Sequence, residues 1–318
     1  PVVLTVLTEL LRERGARVII GDSPGGLFTE NALGHNYRLS GLFMARDAGA
    51  ILNMDTSSQE LTHPEGKVLH RFTCTSWLLQ ADAIIDCCKL KTHGMMAMSA
   101  NIKNMFGVIP GTMKPEYHFR FPKHTDFADM LIDLNTCLKP VLYLTDAIVG
   151  MEGNGPTSGT PRHIGALLAS QDPYGLDLLC AHLIGLSPEQ VPTIVAAAER
   201  GLGSMALSDL QIIGDPAPYV VPDYQNITKP DSIEFSSVVP QFALPFVRRI
   251  LKARPVPEKN TCIGCEKCRE ICPAKAIHMQ EKKPVIDTKK CIRCFCCQEF
   301  CPVGAMKVHR SWLARRLS

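Results

Sequence analysis

Fourteen cysteines occur in this chain, and nine of them fall between Cys262 and Cys301. Cys262, Cys265, Cys268 and Cys272-Pro273 follow the spacing C-x2-C-x2-C-x3-C-P. Cys291, Cys294, Cys297 and Cys301-Pro302 repeat it 29 residues later. Three thiolates on one tight loop can cap three corners of an iron–sulfur cubane, while the fourth leaves along the next helix. Zinc also uses C-x2-C, but a four-cysteine zinc site typically combines two separated pairs. It asks for neither a third cysteine at the same interval nor a proline after the fourth. A disulfide framework belongs to short secreted chains. The spacing therefore predicts two [4Fe–4S] clusters, with iron as the metal. Cys296 breaks the spacing and reads as a bystander.

The segment between the motifs, AKAIHMQEKKPVIDTKK, shows a helical turn and two strand-like pieces around Glu281-Lys282-Lys283, and VGAMKVHR repeats its start after Pro302. Residues 258–310 thus resemble the bacterial dicluster ferredoxin fold, in which the fourth cysteine of each run ligates the other cluster. The resemblance implies one cluster on Cys262, Cys265, Cys268 and Cys301, and a second on Cys291, Cys294, Cys297 and Cys272. It also implies one-electron transfer, with the protein setting the potential through hydrogen bonds, burial and charge. Residues 255–318 carry 13 Lys/Arg against 6 Asp/Glu, while the first 254 carry 21 against 25. Such a basic module suits an acidic redox partner. Little aromatic interleaving accompanies the charge, which argues against nucleic acid.

A second group of polar residues lies between 86 and 177. Lys91 and Lys103, with Lys89, form a candidate clamp for a small anionic substrate. His93, His118 and His124 are candidates for proton transfer or an additional metal. Asp146, Glu152 and Asn154 offer oxygen ligands or a general base on a glycine-rich loop, although turn-making explains Gly153–Pro156 equally well. Asp172 before Pro173 reads first as a helix N-cap. GDSPGG at 21–26 lacks the spacing of nucleotide loops. Adjacent Cys87 and Cys88 read as buried thiols, and the methionines of 94–98 as core filling. No motif names a further organic cofactor.

The elements that must position these groups alternate. Helices are predicted at 2–14, 38–48, 74–80, 125–137, 173–184 and 188–200. Strands are predicted at 17–20, 50–53, 83–87, 141–145, 164–169 and 210–213. Short apolar strands between helices predict an α/β fold with a largely parallel sheet covered by helices, followed by a small α+β ferredoxin-like domain. Ligands of such sheets bind beyond the strands' carboxyl ends, where Lys89–His93 falls.

With 318 residues there is room for two domains at roughly 100–200 residues each. The expected division is an α/β domain over 1–214, a connector over 215–257 with eight prolines, the ferredoxin-like domain and a basic tail over 311–318. Within the connector, Phe242–Arg254 is basic and amphipathic and is expected to pack on the first domain. Charges or Pro/Gly interrupt every apolar run before the roughly 18 residues of a membrane span. So many free thiols predict a reducing cytoplasm. Pro1 already lies inside a predicted helix, so a preceding segment, with any targeting signal, is expected.

Five blocks appear in order: KLKTHG, NIKNMFGVIPG, TDAIVGMEGNGP, RHIGALLASQDPYGLDLLCAHLIGL and IIGD. Over residues 1 to about 214 the chain resembles the family called domain of unknown function 362, whose members often carry a C-terminal dicluster ferredoxin. That resemblance implies an architecture and no reaction. The leading expectation is an iron–sulfur oxidoreductase acting on a small anion. Two alternatives stand beside it: a non-catalytic electron carrier or adaptor, and a metal-dependent, non-redox enzyme with structural clusters.

Overall fold

The computed structural model describes residues 1–227 and 253–309. Most of Phe242–Arg254 and the tail 311–318 lie outside the described residues. Helix α1 (Val2–Glu13) leads to β1 (Ile19–Ile20), α2 (Glu30–Leu39), α3 (Phe43–Asp47) and β2 (Ile51–Leu52), which pairs parallel with β1. The helix expected over 38–48 is broken at Gly41, whose φ of +73° a helix cannot contain. A hairpin follows, β3 (Ser58–Thr62) and β4 (Arg71–Thr75). Its connecting loop is tied down by Asp133, which accepts from the N–H groups of Lys67, Val68 and Leu69. The end of β4 and one 3-10 turn, Ser76–Gln80, replace the helix expected over 74–80.

The central sheet contains β5 (Ile85–His93), β6 (Ala97–Ser99), β7 (Leu142–Glu152) and β8 (Thr160–Ser170), in the order β6-β5-β7-β8. Its fold is mixed α/β. The β5–β7 pair is parallel, whereas β6 and β8 add antiparallel edges. Loop length explains this difference from a largely parallel sheet. Residues 94–96 and 153–159 are too few for a parallel crossover, so both connections are hairpin-like. Between β5 and β7 the chain crosses over through α4 (Asn101–Asn104), α5 (Lys114–Arg120) and α6 (His124–Leu138).

Nine consecutive residues of α6, Phe127 to Asn135, are buried. They pack with Leu69, Phe72, Met96, Phe106 and Ile109 in one core. A second core joins Leu90, Ala147 and Ile164 of the sheet to Leu178 and Leu183 of α7 (Pro173–Leu183) and Ile194 of α8 (Pro192–Glu199). Each fully buried Leu, Ile or Phe adds roughly 1.5–3 kcal/mol. Asp172 caps α7 as expected, accepting from Tyr174 N at 2.9 Å and Gly175 N at 3.1 Å. Pro192 starts α8 and separates it from the turn Pro188–Gln190, so the helix expected over 188–200 is two pieces. No strand forms at 210–213, where Ile213 stands 97% exposed without a partner.

The cysteine-bearing region pairs β9 (Arg254–Pro257) with β12 (Met306–His309), and β10 (Ile277–Gln280) with β11 (Lys283–Ile286), all antiparallel. Two four-residue helices, α9 (Lys267–Glu270) and α10 (Cys296–Glu299), follow the two cysteine loops. This is the strand-rich, ferredoxin-like organisation that the repeat predicted.

Candidate iron–sulfur centres and the lysine site beside them

The 29-residue repeat persists in the backbone. Gly264 and Glu266 of the first loop have φ of +71° and +61°, and Arg293 and Phe295 of the second have +60° and +62°. Non-glycine residues adopt this region only when the surroundings demand it. Alternating left- and right-handed residues turn successive N–H groups inward and make a concavity suited to an anion. The fourth cysteines match as well. Cys272 Sγ accepts from Ala276 N at 3.2 Å, and Cys301 Sγ from Ala305 N at 3.1 Å.

All fourteen thiols are free of disulfides. Cys262, Cys265, Cys268 and Cys301 line one cavity of about 360 Å³, measured with its open mouth. Cys272 lies within electrostatic reach of Cys291 and Cys297 in the other loop. Among the described residues no three His, Cys, Asp or Glu side chains converge closely enough for a single metal ion. Thiols spread around a cavity suit a polynuclear cluster better than zinc. The residues fit the iron–sulfur group.

The second loop is seated on the α/β region. Phe295 joins the core built around α6. Gln298 is fully buried, and its Nε2 donates to Asn154 O at 2.9 Å and Gly155 O at 2.8 Å. Asn154 answers through its side chain, donating to Met306 O and accepting from Val308 N, each at 3.3 Å. Thr157 Oγ1 donates to Glu299 O at 3.2 Å. Gly25 lies so close to the Phe300 ring that an added Cβ would stand 2.9 Å from it. The glycine-rich loop after β7 is thus a clamp on the cysteine module.

Beneath α10 lies a group of cations. His93 Nδ1 accepts from the N–H groups of Met95 (3.0 Å) and Met96 (3.1 Å), so its proton sits on Nε2, which faces Glu299 Oε1 at 2.8 Å. Burial opposes the Glu299 charge, but His93, Lys103 and His118 outweigh it and hold that carboxyl well below its usual range. Lys91, Lys103 and Lys114 surround this pair, each part-buried. Burial lowers all three pKa values, that of Lys114 to about 8. Lys103 Nζ and Lys114 Nζ lie 5.8 and 5.7 Å from the centre of the Phe106 ring. His118 stacks on Phe127 at 4.4 Å, and burial holds its pKa down at about 3. Its Nδ1 and the Ser23 hydroxyl are buried without a partner among the described residues. Lys114 Nζ also donates to Ser23 O, which brings the 21–26 loop to the site.

Lys91, His93, Lys103 and His118 therefore come together, while other candidates lie apart. Asp146 pairs with Lys89 at 2.8 Å, and Lys89 also donates to Val149 O across the bulge in β7. Glu152 is buried and accepts from Gln225 N. His124 begins α6 and does not complete a three-histidine metal site among the described residues. Asp177 accepts from the backbone and side chain of Asn101 and holds α4 in place. Cys87 is pushed up to about 12 by burial and Asp86, and burial pushes Cys88 well up too, as suits inert thiols. Met95, Met96 and Met98 are core. Lys114, Ser23, Gln298 and Glu299 carried no motif in the sequence. Only Gln298 had a signal, and it was comparative: it stands where the first cysteine loop has Arg269.

A family model described as a domain of unknown function, DUF362, matches residues 1–182, more than half of the chain. The chain belongs to the DUF362 family. A 4Fe-4S dicluster domain matches residues 254–302, so this DUF362 protein carries the motif of an iron–sulfur module. The chain is similar to the thylakoid-associated protein sll1697 of Synechocystis sp. (strain ATCC 27184 / PCC 6803 / Kazusa), 29% identical over 230 residues. That match covers 71% of this chain and 69% of the relative. Among the described residues no helix is long and apolar enough to cross a membrane.

Proposed function

We propose that this DUF362 protein is an electron-transfer protein with two [4Fe–4S] clusters, serving a redox reaction on a small anionic substrate held by Lys91, Lys103 and Lys114. The observation that carries this reading is the seating of the second cysteine loop on the lysine site. Glu299, between the ligand candidates Cys297 and Cys301, reaches His93 at 2.8 Å. When bound, the clusters supply or accept electrons one at a time.

The chain's own residues do the rest. Three ammoniums attract an oxyanion and neutralise its charge in a site with little water. Lys114, with its pKa near 8, holds a proton at Nζ that it can release near neutral pH. Phe106 lies under Lys103 and Lys114, and Phe127 stacks on His118, giving the site an apolar floor. His93 fixes Glu299, and with it the end of α10.

A reducing cytoplasm remains the reading for location, on the free thiols. The relative's name makes attachment to a membrane surface the competing one. The experiment is anaerobic: reduce the holoprotein, add a panel of small carboxylates and phosphate esters, and follow reoxidation by absorbance. At least one compound should reoxidise the protein, more slowly in Lys103→Gln and Lys114→Gln. Turnover that survives Cys→Ser changes at the cluster ligands sinks the redox reading and favours the non-redox enzyme. Reoxidation by no compound favours the carrier.

A further inference from the structure

The two cysteine loops repeat in sequence and differ in what covers them. In the second loop Cys294, Phe295, Cys297 and Gln298 are 8%, 4%, 7% and 0% exposed, with Phe295 and Gln298 seated on the α/β region. In the first, Cys265 and Lys267 are exposed and Ile263 is 65% exposed. Val303, on the lip of the same cavity, is 37% exposed.

We infer that the surface over Cys262–Cys268 docks an acidic one-electron carrier protein, and that electrons pass between this carrier and the lysine site by way of the outer cysteine set first. This rests on the electron-transfer reading above and adds the partner and its point of contact. The patch has an apolar centre of Ile263, Cys265 and Val303 directly over the cavity. Exposed Lys259, Lys267 and Lys282 stand around it. The backbone of Lys282 lies against Gly264, where an added Cβ would meet its carbonyl oxygen at 2.8 Å. Residues 258–283 carry six Lys/Arg against four Glu. Glu266 is matched by Arg269 at 2.6 Å and Glu258 lies 4.0 Å from Lys307, so the rim stays net cationic although Glu270 and Glu281 are exposed on it. A small apolar centre with a cationic rim suits a transient, steered complex, fast to form and sensitive to salt. In each transfer the reduced carrier loses one electron and the outer cluster gains it. No bond forms or breaks, and no proton moves.

The test uses anaerobic holoprotein and a reduced, acidic [2Fe–2S] ferredoxin as probe. Stopped-flow absorbance at low ionic strength should show Lys259→Glu, Lys267→Glu and Lys282→Glu together slowing reduction about tenfold or more. Lys123→Glu, at the N-cap of α6 in the α/β region, should not slow it. EPR of the reduced protein with a soluble dysprosium chelate supplies a second readout. The signal altered by Cys265→Ser should relax faster with chelate, and the signal altered by Cys294→Ser should change little. Equal relaxation of both signals, or rates indifferent to charge reversal, overturns the docking surface and leaves the electron-transfer reading standing. If the probe reduces no variant and dithionite produces no EPR signal, the electron-transfer reading itself falls.

Discussion

Gln298 offers the sharpest perturbation of the arrangement. Its side chain is fully buried, and its Nε2 donates two hydrogen bonds to the clamp loop, at 2.9 and 2.8 Å. Each bond contributes a net of about 0.5–1.5 kcal/mol. Deleting the side chain beyond Cβ also removes one methylene of packing, about 0.8 kcal/mol. Gln298→Ala should therefore weaken seating of the second cysteine loop by about 2–4 kcal/mol. At the lower end that raises the open population roughly 30-fold, since about 1.4 kcal/mol is a factor of ten. Hydrogen exchange on the anaerobic holoprotein reads it directly. Amides of residues 153–158 and 294–300 should exchange faster, while those of the Cys262–Cys268 loop stay unchanged. Gln298→Glu should be worse, because it sets a carboxylate against two carbonyl oxygens. Unchanged exchange in the clamp, with urea stability within about 0.5 kcal/mol of the parent, would refute the clamp.

Other expectations follow from the same geometry. Asp86 is buried, which pushes its pKa from the ordinary 3.8 up to about 7 despite the hydrogen bond from Asn104. A raised carboxyl costs nothing at low pH, and its penalty grows as pH climbs from the unfolded value through the folded one. Asp86→Asn keeps an acceptor for Asn104, so it should stabilise by about 1–4 kcal/mol at about pH 8, with the gap shrinking toward about pH 5.5 in urea melts. A constant gap would show that Asp86 does not titrate there. Cys296→Ala should retain roughly eight iron and eight sulphide per chain, whereas Cys297→Ala should not. Cys272→Ala should disturb the same EPR signal as Cys297→Ala, because the ligand sets cross; loss of the Cys265-linked signal instead would refute the crossing.

Much of this was legible in the sequence because local rules dominate it. The cysteine spacing, the Asp172-Pro173 cap and the buried Cys88 are each set within a few residues, while Cys87 is only half-buried. The order of the central sheet was not. Parallel and antiparallel neighbours depend on loop length, and the strands read as 83–87, 141–145 and 164–169 run to His93, to Glu152 and from Thr160. Their hidden lengths carried the two hairpins. Asp146 and Glu152 show the opposite limit. Both are polar residues near strand ends, yet one is bound by Lys89 and the other holds a backbone N–H. Sequence gives residue type and rough depth, whereas a lysine site assembled from the 21–26 loop, β5, α4 and α5 is a tertiary fact.

The repeat itself explains why one cysteine set faces out and the other in. Aligned at 29 residues, Glu266 corresponds to Phe295, Lys267 to Cys296, Arg269 to Gln298 and Ile271 to Phe300. The two backbones bend alike, with matching left-handed residues before α9 and α10. Side chains alone therefore break the symmetry. Charged groups at the first three positions would each lose several kcal/mol of hydration if buried unpaired. Their counterparts are an aromatic ring, a thiol and an amide whose donors find two carbonyls. Glu270 and Glu299 are the same residue in both copies. The first stays exposed, whereas the second is half-buried against His93 beside three lysines. Orientation of the module is thus encoded in four of the five differences between the two runs, Gly264 against Arg293 being the fifth. Restoring Glu at Phe295 and Arg at Gln298 should release the second loop without altering the cysteine spacing that binds iron. Iron content preserved, together with fast exchange at 153–158, is the expected signature. Intact protection of that loop in the double variant would show that the seating is held by something other than these side chains.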